Sequence, residues 1–181
     1  MDHQMLSKVI SYALRHAPHE YELELDEYGW VHIDQLLYSL REQEMWNLIE
    51  RKDLHQMIAL SDKKRHEIQG DKIRALYGHS VPQKIMKEEK EPPKTLFHGT
   101  PKQSASLIML HGLLPKGRQY VHLSEEVETA LQVGKRRDEQ PVILMIDAKR
   151  AWDEGVKFYH GNERVWLADQ IDKQYISIYE S

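Results

Sequence analysis

Four short stretches of this chain gather side chains that bind anions or polarise a substrate: "LRH" at 14–16, "DKKRH" at 62–66, "FHGT" at 97–100 and "GRQYVHLS" at 117–124. A fifth, "GHS" at 78–80, offers backbone and hydroxyl donors of the kind that cradle a phosphate. The arginines in these stretches stay ionised and carry forks of donors, which suits them to anions through paired, charge-assisted hydrogen bonds. The ordinary pKa of histidine lies near neutrality, so an imidazole in these stretches can bond an oxyanion or move a proton. Taken singly, every stretch also has a plain reading. Arg15 and His16 would be a solvated helix end facing the negative pole of the helix dipole, and "DKKRH" a polar turn. His98 would be a strand-end residue satisfied by backbone, and Arg118, Tyr120 and His122 would alternate onto a solvent-facing strand surface.

Composition narrows the chemistry. The 181 residues include no cysteine, which excludes disulfides, thiol nucleophiles and thiolate metal sites and fits a reducing compartment. The histidines lack HxxxH or HExxH spacing with carboxylate support, and no acidic cluster accompanies the five stretches, so no metal is expected. A Walker loop and a dinucleotide GxGxxG are both missing. Residues 1–81 carry 10 Lys and Arg against 14 Asp and Glu, and residues 95–181 carry 11 against 12, within a net charge of −4. Neither part is a basic domain, so any nucleic-acid role must rest on a few focused cations. No apolar run approaches the roughly 18 residues of a membrane span, and the N-terminus has no apolar signal core; a cytoplasmic protein without a membrane partner is expected. Nothing in the sequence demands more than a monomer.

The elements that must position these groups fall on either side of "VPQKIMKEEKEPPKT" at 81–95, a charged stretch with paired prolines and no apolar face. The expected organisation is a lobe over 1–81, a linker over 82–94 and a lobe over 95–181. In the first lobe, Ser7 is a plausible N-cap for a helix carrying Val9, Ile10, Ala13 and Leu14 and closed by Pro18. A turn at Gly29, a short strand through Val31 and a helix capped by Asp34 follow. "DLHQMIALS" reads as a further helix, and Gly70-Asp71 as the turn of a β-hairpin. Three helices followed by a hairpin suggest a winged-helix lobe. In the second lobe "TLFHGT", "YVHLS" and "YISIYE" read as strands, with "PVILMID" a fully buried one. "PKQSASLIMLHG" reads as a helix stopped by Gly112, and "SEEVETALQVGKRR" as one opened by Ser124. The fold class expected is therefore α+β, with a mixed α/β second lobe.

The joint order of the motifs is more specific than any one of them. "SKVISYALRHAP", "DEYGWVHIDQLL", "SDKKRHEI", "KIRALYGHS", "LFHGT", "GLLPKGRQYVHLS", "PVILMIDA" and "VWLA" occur collinearly over nearly the whole chain, and in that order they resemble the NAD-dependent RNA 2'-phosphotransferase family. The resemblance implies a winged-helix RNA-binding lobe followed by a lobe of the ADP-ribosyltransferase fold that binds NAD+. It implies a transferase that consumes NAD+ as a co-substrate and acts on RNA carrying an internal 2'-phosphate. The 2'-phosphate would attack the nicotinamide ribose and form RNA-2'-phospho-ADP-ribose. The ribose 2''-hydroxyl would then release repaired RNA 2'-OH and ADP-ribose 1'',2''-cyclic phosphate.

Position by position, the resemblance assigns Arg15, His16, Arg65 and Arg118 to the phosphate and to catalysis. It assigns His98, Gly99, Thr100, His122, Ser124 and Val165 to NAD+, and Gly78, His79 and Ser80 to substrate contact. The chain departs from the family's usual pattern at His66, where an aromatic is usual, at Tyr77, where a glutamine is usual, and at Glu163-Arg164, where an Asn-Gly pair is usual. Two other functions fit parts of this picture. A transferase that stops after ADP-ribosylation would leave a stable conjugate, and an idle winged-helix binding module would need a basic surface that the acidic first lobe lacks.

Overall fold

The computed structural model describes residues 1–180, and the chain divides into two compact units, Met1–Met86 and Lys87–Ser181. Both are mixed α/β, and among the described residues no helix is long and apolar enough to cross a membrane.

The first unit begins with α1 (His3–Arg15), whose Leu6, Ile10, Ala13 and Leu14 form one fully buried stripe. The three- and four-residue spacing of those side chains dictates the helix and the face it buries. Its N-cap is Asp2, whose carboxylate accepts from the Met5 backbone N–H at 3.1 Å, and Ser7 lies one turn inside. Leu6 explains the earlier start, because it belongs to the buried stripe and its turn needs a cap ahead of it. The helix stops at His16, and Pro18 opens a short 3-10 turn, Pro18–Tyr21.

Gly29, at φ +87°, closes a tight turn that Asp26 organises, its carboxylate accepting from the Tyr28 and Trp30 N–H groups at 2.9 Å each. The chain then enters β1 (Val31–His32) and α2 (Ile33–Arg41). Asp34 sits in the first turn of α2, with His32 as the N-cap. Helix α3 (Arg51–Leu60) opens with the Glu50 N–H donating to Asp53 at 2.8 Å. It is followed by the hairpin β2 (His66–Gln69) and β3 (Lys72–Ala75), turning at Gly70-Asp71 with Gln69 opposite Lys72. The small sheet runs β1-β3-β2 and is antiparallel throughout. Its core gathers the α1 stripe, Leu36 and Leu40 of α2, Leu54 and Met57 of α3, and Ile73 of β3.

The second unit is built on β4 (Thr95–Thr100), β5 (Val121–Ser124), β6 (Val142–Asp147), β7 (Phe158–His160), β8 (Val165–Ala168) and β9 (Ile176–Ile178). They form an antiparallel sheet in the order β7-β8-β5-β4-β6-β9. The helices are α4 (Lys102–His111), α5 (Val127–Gly134) and α6 (Ala148–Asp153). Gly112, at φ +83°, ends α4. Ser124 does not open α5; it is the last residue of β5, paired with Val165, and Glu126 is the cap. Strand pairing has claimed the residue that local chemistry would assign to a helix. Nor is β6 buried along its length, because Asp147 and Met145 are exposed on one face while Leu144 and Ile146 are fully buried. Leu96, Leu123, Leu144, Ile146, Phe158 and Trp166 make up much of the core of this unit.

Helix α5 lies so close to β4 that a Cβ on Gly99 would collide with the Ala130 carbonyl, while one on Gly134 would come within 2.6 Å of the Pro141 ring. The two glycines set the distance at which α5 covers the sheet, and neither contact is with the end of a flexible side chain. Gly99→Ala is expected to cost at least about 2 kcal/mol in the urea unfolding transition. Gly70→Ala, where a Cβ meets nothing but φ is +58°, is expected to cost about 1 kcal/mol.

Candidate functional site

In the first unit, Arg15, His16 and Arg65 line one cleft of about 510 Å³ between α1, the end of α3 and the turn into β2. Ser7, Ser11 and Lys63 share its wall. Arg15 is delivered by the last turn of α1, where the buried stripe fixes the rotation of the helix. The Tyr77 ring lies 5.1 Å from the Arg15 guanidinium carbon, a cation–π contact. Gly78, at φ +88°, passes so near that a Cβ there would stand 3.2 Å from Arg15 Nε. The Ser80 N–H donates to the Arg15 carbonyl at 2.9 Å, and the Ser80 hydroxyl lies 2.8 Å from His16 Nδ1.

The "GHS" stretch therefore buttresses Arg15 and His16. Gly78 gives the arginine room, Ser80 fixes the helix end and the imidazole, and His79 is buried beside Gly29. A cation held against a ring, with its main chain tied down, loses little entropy when an anion arrives. Arg65 Nη1 reaches the Ser61 hydroxyl at a long 3.5 Å.

His66, the first residue of β2, is 3% exposed and lies 3.0 Å through Nε2 from the Ser11 hydroxyl. Burial, reinforced by the positive charges of Arg15 and Arg65, lowers its pKa to about 3. It is therefore neutral at working pH. Sequence reasoning registered His66 and Tyr77 only as departures from a pattern; their work on α1 depends on contacts between segments far apart in the chain.

In the second unit, β4 and β5 share the single register pair Phe97–Ser124, whereas β4 and β6 are paired from Thr95–Asp147 to Thr100–Val142. Beyond Phe97 the ladder between β4 and β5 stops, and His98 spans the seam, its Nδ1 lying 2.9 Å from the His122 carbonyl. A carbonyl only accepts, so Nδ1 carries the proton and, in the neutral ring, Nε2 is an acceptor. Burial holds the His98 pKa down, against that backbone bond, and Arg118 and Lys116 lower it further.

On the other side of the seam, Arg118 Nη1 lies 2.7 Å from His122 Nδ1. Guanidinium only donates, so His122 accepts at Nδ1 and its proton sits on Nε2. The seam thus joins one imidazole whose Nε2 accepts to another whose Nε2–H donates. His122, Ser124 and Val165 share a face of the sheet through the Ser124–Val165 register, and alternation puts His98 and Thr100 on the other face of β4. Thr100 and Ser124 are buried, and Gly99 faces α5.

Arg118 lies before β5, in the turn that its own N–H closes onto the Pro115 carbonyl, and reaches His122 from there. Val165 and Arg164 donate their N–H groups to Asn162 at 2.8 Å each, and Glu163 and Arg164 are exposed in that turn. Trp166 Nε1 donates to Glu125 at 2.7 Å. Among the described residues, no group of three or more His, Cys, Asp or Glu is arranged to hold a metal ion.

The family model described as RNA 2'-phosphotransferase, Tpt1 / KptA family, matches residues 1–170. A protein of Acetivibrio thermocellus named "Probable RNA 2'-phosphotransferase" is 61% identical over 176 residues, which cover 97% of each chain. A protein of the same name from Bacillus thuringiensis is 56% identical over 173 residues, covering 96% of this chain and 94% of its own. One from Pyrococcus horikoshii is 38% identical over 172 residues, covering 95% and 96% respectively.

Two measurements test this geometry. Gly78→Ala places a side chain at positive φ against Arg15; it is expected to cost about 1–2 kcal/mol in the urea unfolding transition. An unchanged transition would show that Arg15 is not held from this side. For His66, the folded pKa of about 3 lies below the ordinary 6.5, so the unfolded chain binds more protons between those values. The contribution is fully present above pH 6.5 and is lost as pH falls towards 3. Urea midpoints of His66→Phe are expected to fall less steeply than those of the parent between pH 6.5 and 4.

Proposed function

Because the chain belongs to the RNA 2'-phosphotransferase, Tpt1/KptA family, we propose that it removes an internal 2'-monophosphate from RNA and transfers it to NAD+. The observation that carries this reading is the convergence of Arg15, His16 and Arg65 on one cleft of the first unit. Three donor groups around a single volume suit a dianionic phosphate monoester, and the family resemblance assigns Arg118 to the same task.

The first unit acts as a winged-helix RNA-binding lobe; the order α1, α2, α3 and hairpin, with β1 added to the hairpin, supports this. The second acts as an ADP-ribosyltransferase-type lobe that takes NAD+ at the seam between β4 and β5. The fit there is chemical. On one face of the sheet the His122 Nε2–H and Ser124, beside Val165, match the hydroxyls and amide of a nicotinamide riboside, and the family resemblance adds His98, Gly99 and Thr100 of β4.

In the first step, an oxygen of the RNA 2'-phosphate bonds to the anomeric carbon of the nicotinamide ribose as the carbon–nitrogen bond breaks. Nicotinamide leaves with the electron pair, and RNA-2'-phospho-ADP-ribose remains. Here the protein's task is alignment, with the arginines holding the phosphate for in-line attack. In the second step the ribose 2''-oxygen bonds to phosphorus, the bond to the RNA 2'-oxygen breaks, and that oxygen ends protonated. Charge accumulates on the phosphorus oxygens, where the guanidiniums stabilise it. His16, its ring fixed at Nδ1 by Ser80, bonds a phosphate oxygen or carries the proton through Nε2. The products are RNA 2'-OH and ADP-ribose 1'',2''-cyclic phosphate.

Incubation with a 2'-phosphorylated oligonucleotide and NAD+ is expected to yield nicotinamide and the cyclic phosphate in equal amounts, read by chromatography. A 2'-phosphate that survives ample protein contradicts the proposal, and a stable ADP-ribosylated RNA would mark an enzyme that stops after the first step. Arg15→Ala is expected to lower kcat/KM by about 100-fold or more, with the fold intact by circular dichroism.

A further inference from the structure

The bond between Ser11 and His66 lies in the wall of the first-unit cleft and has no part in the mechanism above. Ser11 stands one helical turn before Arg15, so the two side chains leave α1 on the same face. Ser11 lines the cleft together with Arg15, His16 and Arg65; His66 is not part of the lining and meets the Ser11 hydroxyl from behind, at 3.0 Å through Nε2. We propose that Ser11 is a further ligand of the bound phosphate, its hydroxyl proton aimed into the cleft by His66 acting as a positioning residue.

A serine hydroxyl has one proton and can also accept. In one arrangement Ser11 donates to an unprotonated Nε2, and the cleft is offered only a lone pair, which repels an anion. In the other, Nε2–H donates to the Ser11 oxygen, and the hydroxyl proton is left for a phosphate oxygen. Only the second forms two hydrogen bonds when an anion is present, so anion binding selects that tautomer. The choice requires a neutral ring, and burial among two guanidiniums keeps His66 neutral at working pH. A buried Nε2–H gives the hydroxyl a fixed direction that a water-facing serine lacks, and cooperative polarisation along the pair strengthens the outer bond.

This inference rests on the phosphotransferase reading for the identity of the anion, and its test separates the two. The affinity of the full-length protein for a 2'-phosphorylated RNA oligonucleotide is measured by calorimetry without NAD+, and turnover with NAD+ is measured separately. Ser11→Ala is expected to weaken binding by about 10- to 100-fold, the worth of one hydrogen bond to a charged acceptor. His66→Phe is expected to weaken it comparably, and the double variant to be no worse than Ser11→Ala alone, because both remove the same bond. His66→Gln, whose amide N–H can replace Nε2–H, is expected to restore most of the affinity.

Binding by Ser11→Ala within twofold of the parent overturns the proposal, as does multiplication of the two single effects. Loss of affinity in His66→Gln equal to that in His66→Phe removes His66 from the positioning role. Absence of turnover in the parent, with these binding differences intact, overturns the phosphotransferase reading and leaves the Ser11 assignment standing.

Discussion

Arg15 must carry its charge at a fixed place, and the first unit is organised around holding it there. The Tyr77 ring lies against the guanidinium, Gly78 clears the space beside it, and the Ser80 N–H bonds its main-chain carbonyl. Each of these contacts comes from residues 77–80, which follow β3 and return to the end of α1. Their arrival depends on the hairpin, the hairpin on the β1–β3 pairing, and α1 itself on the stripe Leu6, Ile10 and Leu14 in the common core. An arginine left to sample its rotamers would give up about 2 kcal/mol of side-chain entropy on binding. Spending core and turn structure on one side chain moves that cost into folding.

Under the proposed function, the same economy lets an acidic chain recognise a phosphate. Its cations are placed rather than abundant. Arg74 is held by Glu67 at 3.0 Å and stacks 4.4 Å from the Trp30 ring, a pairing that fastens β2 to β3 and joins the turn before β1 to them. Arg65 instead reaches the Ser61 hydroxyl at long range, and its charge is felt by the buried His66. Exposed pairs such as Arg51–Asp71 and Lys149–Asp153 add little to stability. Binding that rests on three or four fixed phosphate contacts falls with salt far less steeply than binding by a basic surface.

Much of this was legible in the sequence. The α1 stripe, the Gly70-Asp71 hairpin, the Gly112 stop and the strands around "FHGT" and "YVHLS" are local patterns, and local patterns survive into the fold. Asp2 in place of Ser7, and Ser124 in a strand rather than at a helix start, were not legible, because core packing and the Val165 pairing decide between two chemically acceptable caps. The roles of His66, Tyr77 and Gly78 were hidden for a related reason. Each acts on α1 across some 50 to 70 residues of chain, and no window on the sequence brings those segments together. The seam between β4 and β5 is a property of strand register, which alternating residues do not reveal when a ladder ends after one pair.

The central claim is that the first-unit cleft reads the 2'-phosphate itself. The most direct measurement is the difference in affinity between two RNA oligonucleotides identical except for a 2'-phosphate or a 2'-hydroxyl at one internal position, in the absence of NAD+. The account predicts that the phosphorylated strand binds at least about 100-fold more tightly, the worth of two charged hydrogen bonds. It also predicts that Arg15→Ala and Arg65→Ala each erase most of that difference while leaving the affinity for the hydroxyl strand nearly unchanged. Equal affinity for the two strands, or a difference that survives both substitutions, would contradict it.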